Sequence, residues 1–174
     1  AEFRLLFADR LHKFSFNDGV LSQGGMRGLM KSLMDWVSEA MYAETARWGD
    51  LYEYTDPTTP AGDWAMWKRK CDWILDYYLM ERTFFVVEQF RGIGLYPMIE
   101  APVFSINGAY QHGGEVGPGA VLTMSAGANV YYTLDGRDPR EYGTGNATGT
   151  LYGGAIALTR STWVKARSLS TTNW

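Results

Sequence analysis

The chain has 174 residues, 46% of them apolar and 15% aromatic, with a formal net charge of −3 and a single cysteine. That apolar content is ample for one compact domain or two small ones, and it excludes disorder as the default. A mildly acidic balance gives no electrostatic footing for nucleic acid. No apolar run reaches the roughly 18 residues that span a bilayer, and one thiol allows no intrachain disulfide framework.

The opening residues, Ala1 to Arg4, lack an initiator Met and enter a helical pattern at once, so the chain is expected to be an excerpt of a longer protein. Residues 1–100 hold seven of the eight Met and five of the seven Trp, whereas residues 101–174 hold twelve of the twenty Gly. The shift falls between Pro97 and Pro102. It predicts a helical segment over 1–98 and a β-rich module over 99–174.

Phe3, Leu6, Phe7, Leu11 and Phe14 recur at helical spacing and predict a first helix, closed by the turn Asn17-Asp18-Gly19. Ser22 suits the N-cap of a longer helix with the stripe Met26, Leu29, Met30, Leu33, Val37, Ala40 and Met41, ending near Gly49. Gly24, Gly25 and Gly28 each cost up to about 1 kcal/mol inside a helix, which predicts a later start. Residues 56–62, with two prolines, read as a loop. Asp63 then caps a third helix bearing Trp64, Trp67, Cys71, Ile74, Leu75 and Tyr78 on one face. A fourth spans 81–91 and stops at Gly92 or Gly94. Beyond Pro102, residues 103–106, 120–124, 129–134 and 162–167 are β-rich runs between Gly, Pro, Asn or Asp, the spacing of a sandwich. The fold class is therefore α+β and multidomain.

The stretch Val130-Tyr131-Tyr132-Thr133-Leu134-Asp135-Gly136-Arg137-Asp138-Pro139, with Lys165-Ala166-Arg167 downstream, resembles the immunoglobulin-like module known as the chitobiase/β-hexosaminidase C-terminal domain. The resemblance covers residues 99–174 and implies a sandwich that stops one strand short of the usual module. The phrases 3–13, 44–50, Asp63-Trp64, Arg82-Thr83 and 94–97 resemble the segment that precedes such a module in exported bacterial proteins of the CotH kinase-like family. That resemblance implies an extracellular or cell-surface setting and a non-catalytic structural, adhesion or assembly role. Two alternatives accompany it. The parent is an atypical secreted kinase whose catalytic residues lie upstream, or the sandwich is a carbohydrate-binding accessory module.

No catalytic residue and no cofactor is expected within this stretch. Asp135 and Asp138 flank Gly136. As a calcium site they fall short of the roughly six to eight oxygens that ion takes, and turn chemistry, with Asp accepting local N–H bonds, is the preferred reading. His12 and His112 are 100 positions apart. The first reads as a partly buried structural histidine, the second as a solvated loop residue. Cys71 reads as a small buried hydrophobe, and Asn146-Ala147-Thr148 as an exposed loop triplet. Trp36 and Trp73 fall off their apolar stripes, so an interface with the upstream part of the same protein or another subunit is expected there. Glycans stacked on flat rings are the further candidate partner.

Overall fold

The computed structural model describes residues 2–48, 64–170 and 174. The predicted loop 56–62, the Asp63 cap, the Gly49 stop and the rings of Trp48, Tyr52 and Tyr54 lie outside the described residues. Helices come first and two antiparallel sheets follow, an α+β arrangement.

Helix α1 is Glu2–Ser15. Asn17 and Asp18 take left-handed φ of 52° and 62°, the conformation short polar side chains tolerate best. Helix α2 is Gln23–Trp48, and Ser22 Oγ accepts the Gly25 N–H at 3.1 Å as its N-cap. The helix begins directly after that cap, earlier than its glycines suggested. Gly25 is there for space: a Cβ would come within 2.6 Å of the Gly19 carbonyl oxygen, whereas Gly24 and Gly28 face open surroundings.

Helix α3 is Trp64–Trp73, a single π-turn covers Ile74–Tyr78, and helix α4 is Leu79–Gly92. The two helices expected from sequence are thus one unbroken run. Nothing between 74 and 91 is Gly or Pro, and a π-turn adds a residue without interrupting the ladder, the Leu79 N–H donating to the Ile74 carbonyl. The run ends where Gly94 takes φ 71° and Leu95 N–H returns to the Phe90 carbonyl at 2.9 Å.

Strands β1 (Val103–Ile106), β2 (Ala109–Tyr110), β3 (Ala120–Ser125) and β6 (Ile156–Leu158) form one sheet in the order β2-β1-β3-β6. Strands β4 (Asn129–Thr133), β5 (Thr150–Leu151) and β7 (Lys165–Leu169) form the other, ordered β5-β4-β7. The last predicted run starts three residues late as a strand, because Trp163 makes only an isolated bridge to Asp135. The core lies between the sheets. Ala120, Leu122 and Met124, alternate residues of β3, are buried with Ile106 and Val130, and Tyr132, Tyr152, Val164 and Ala166 pack against them. Burial of Leu122 alone contributes about 2 kcal/mol. The Tyr152 hydroxyl, at the edge of this core, accepts the Met124 N–H at 3.0 Å.

The chain divides into two compact units, residues 1–10 with 90–174, and residues 11–89. The second is held by buried Met34, Met66, Cys71, Leu79 and Val87, with Arg27 paired to Asp76 at 2.9 Å and Thr83 donating to the Leu21 carbonyl at 2.7 Å. No helix among the described residues is long and apolar enough to cross a membrane.

Candidate functional site

The turn after β4 organises the first unit. Thr133 Oγ1 donates to the Arg137 carbonyl at 2.6 Å, and Asp135 Oδ1 accepts the Arg137 N–H at 3.0 Å. Asp138 Oδ1 accepts the Arg140 N–H at 3.1 Å, and Pro139 is fully buried. Gly136 has φ 78°, which a residue with a Cβ rarely adopts.

Asp138 then reaches across to β7. Arg167 Nε and Nη2 donate to its two oxygens at 2.6 Å each, and Lys165 Nζ stands 3.3 Å away. The same guanidinium grips Asp9 of α1, Nη1 and Nη2 donating at 2.8 and 2.6 Å. Seven residues earlier on that helix, Glu2 receives both Nη groups of Arg140 at 2.9 and 2.6 Å, and the Gly143 N–H at 3.3 Å. Two acids on one face of α1 are therefore held by two arginines of the sandwich.

Burial alone would raise the Asp138 carboxyl, but the Arg167 hydrogen bonds and charge overcome it and hold the group at about 2. Burial likewise works to lower Arg167, and its bonds to Asp138 and Asp9 outweigh that and raise it above the usual guanidinium value. The bond from Arg140 lowers the Glu2 carboxyl. Asp138 is ionised at neutral pH and faces cations, so it has no proton to give as a general acid. The cluster is a positioning device, and its chemistry is that of a clamp.

Asp135 and Asp138 are accordingly engaged in turn and clamp bonds. Among the described residues no three His, Cys, Asp or Glu side chains gather as a metal-binding group. Cys71 is buried and its thiol pushed up by that burial. His12 stacks on Phe16 at 4.7 Å. His112 differs from its expected solvated state. It lies parallel to Phe104, ring centroids 5.1 Å apart, accepts the Phe104 N–H on Nε2 at 3.4 Å, and is kept below the usual imidazole range by burial.

Trp163, which sequence reasoning passed over, sits on the Gly136 turn. A Cβ on Gly136 would fall 2.6 Å from its Cδ2 and 2.8 Å from its Cε3, so the indole covers the glycine, yet the residue is 76% exposed. The signal available was the pairing of a Gly turn with a Trp just before the Lys-Ala-Arg run.

In the helical unit Trp36 is 82% and Trp73 54% exposed. Each belongs to an open stripe at helical spacing: Leu29, Leu33 and Trp36 on α2, and Trp73, Tyr77, Met80 and Phe84 along the α3–α4 run. By contrast Met34 is buried, and Tyr42 stacks flat on Trp64 with centroids 4.9 Å apart.

Residues 121–173 match the family model described as Fn3 associated, a stretch that takes in β3 to β7, the Asp-Gly-x-Asp-Pro turn and Arg167. No curated protein and no solved structure matches the chain. The match accords with an immunoglobulin-like accessory module at this end of the chain.

Proposed function

We propose that this chain is a non-catalytic assembly module of a larger bacterial extracellular or cell-surface protein, residues 1–98 being the C-terminal part of a CotH-like region and residues 99–174 a chitobiase-type sandwich. One observation carries the reading: the two apolar stripes left open on the helical unit. An amphipathic helix buries one stripe. A helix with a second apolar stripe is suited to a second partner. Covering rings as large as Trp36 and Trp73 contributes about 2–4 kcal/mol each, a driving force concentrated in few residues, as in interface hot spots. The partner is another part of the same protein or another subunit.

Sedimentation velocity over a concentration series tests the assembly role. The chain is expected to associate as concentration rises. A Trp36→Glu/Trp73→Glu variant, with unchanged helical circular dichroism because both side chains are exposed, is expected to stay monomeric. A wild-type chain that is monomeric at every concentration overturns assembly through a second copy of this chain and leaves another part of the same protein as the partner of the open stripes.

A further inference from the structure

A cavity of about 550 Å³ lies in the sandwich unit, walled by loops 111–118 and 159–164 and floored by core residues such as Phe104 and Leu122. We propose that it binds an acidic oligosaccharide, with Trp163 carrying one pyranose ring and Arg160 its carboxylate. This site is separate from the stripes of the helical unit.

The lining has the mixed character that sugars require. A pyranose ring presents a face of C–H bonds and a rim of hydroxyls, so it needs a flat apolar platform with donors and acceptors beside it. Trp163 supplies the platform: its indole is seated on Gly136 and the residue is 76% exposed, so an open aromatic surface exists before any ligand arrives. Such a platform loses little freedom on binding.

The rim is equally ready. His112 uses Nε2 to accept the Phe104 N–H, which in the neutral ring places the remaining proton on Nδ1 as a donor. Gln111 Nε2 donates to the Gly113 carbonyl at 2.7 Å, which leaves Oε1 as an acceptor. Thr162 Oγ1 donates to the Arg160 carbonyl at 2.8 Å and keeps its lone pairs. The only formally charged side chain in the lining is Arg160, which has no ion-pair partner among the described residues; Glu115 of the loop 111–118 is exposed and is not one of the lining residues. The charge complement is therefore a carboxylate, held by a guanidinium fork. A small inorganic anion would use Arg160 and leave the indole idle. A wholly apolar ligand would strip water from Gln111, His112 and Arg160 without replacing its hydrogen bonds.

Titration of the 174-residue chain with trigalacturonic acid, followed by calorimetry and tryptophan fluorescence, tests the site, with cellotriose and inorganic phosphate as comparators. Trigalacturonate is expected to bind saturably and more tightly than either comparator. Trp163→Ala weakens it roughly tenfold, the size of one lost aromatic contact. Arg160→Gln, at an exposed position, removes the preference over cellotriose. Circular dichroism checks that both variants keep the sandwich, and a shift of the Trp163 indole N–H resonance reports the site in the unaltered chain. No saturable binding, equal binding of cellotriose or phosphate, or binding indifferent to Trp163→Ala with no indole shift would each overturn the proposal.

Discussion

Replacing Arg167 by Met keeps the bulk of the side chain and removes the charge that joins α1, the turn and β7. Arg167 is one-tenth exposed and makes two bonds to each of two carboxylates. Taking one partner from a buried ion pair costs about 3–5 kcal/mol, since the other charge is left uncompensated. Here the stranded acids are partly wet, Asp9 being 38% and Asp138 34% exposed, and Lys165 remains 3.3 Å from Asp138. Discounting the loss by about half for this screening gives about 2 kcal/mol. In a unit of roughly a hundred residues that is a fall in Tm of about 8–16 °C. Because the two units need not melt together, the assay is thermal unfolding followed through the methyl resonances of Leu122, deep in the sandwich core. Arg137→Met is the control. Its pair with Asp135 is open, the side chains 86% and 58% exposed, and about 0–0.5 kcal/mol is expected there. If Arg167→Met costs no more than Arg137→Met, the clamp does not stabilise the unit and the reasoning fails.

Acid weakens the same clamp. The folded Asp138 carboxyl sits at about 2, below its ordinary 3.8, so its contribution is full above the ordinary value and is lost as pH falls towards the folded one. The Leu122 melting temperature is expected to drop between about pH 4 and pH 2, and Asp138→Asn is expected to flatten that part of the curve. In α2, Gly24→Ala and Gly28→Ala are expected to raise stability by up to about 1 kcal/mol each. Gly25→Ala is expected to lower it, because its Cβ meets the Gly19 carbonyl. Urea titrations of the three variants decide the contrast, and a stabilised Gly25→Ala would contradict the packing. Gly136→Ala is expected to cost about 1–3 kcal/mol through its positive φ and to displace Trp163, visible as a change in that indole's fluorescence. An unchanged indole signal would mean the ring is not seated on the turn.

Local grammar made much of this fold readable. β-rich runs between Gly, Pro, Asn or Asp marked β1, β3 and β4, the Ser22 cap marked the start of α2 against the later start its glycines suggested, and Gly92 and Gly94 marked the end of α4. What escaped is non-local. Strands β2, β5 and β6 have two or three residues each, too short for alternation to register, and exist because neighbouring strands offer them a ladder. The join of α3 to α4 escaped because a π-turn leaves no Gly or Pro behind. His112 was read as solvated from its glycine-rich neighbours, but Phe104, eight residues away along β1, stacks against it. The Asp138 turn was legible as a turn. Its clamp was not, because Asp9, Asp138 and Arg167 are brought together by the fold alone, and charge pairs far apart in sequence carry no periodic mark. Trp36 and Trp73 are exposed, but so are Leu29 and Leu33, which the expected stripe of α2 included, so the pattern alone did not separate the open stripe from the covered one. Trp163, one ring beside a turn, carried no mark of a site.

The clamp also orders events in time. Asp9 and Arg167 are separated by 158 positions, and Glu2 and Arg140 by 138. Closing a loop of that length costs about 4–5 kcal/mol in chain entropy, against about 2 for a ten-residue loop. Residues 11–89 make their own contacts within that interval and need none of these bonds. During synthesis Asp9 can therefore meet Arg167 only after β7 has left the ribosome, and Glu2 can meet Arg140 only once the turn after β4 has formed. A contact made this late adds little to the speed of folding and acts mainly on the rate at which the finished unit comes apart.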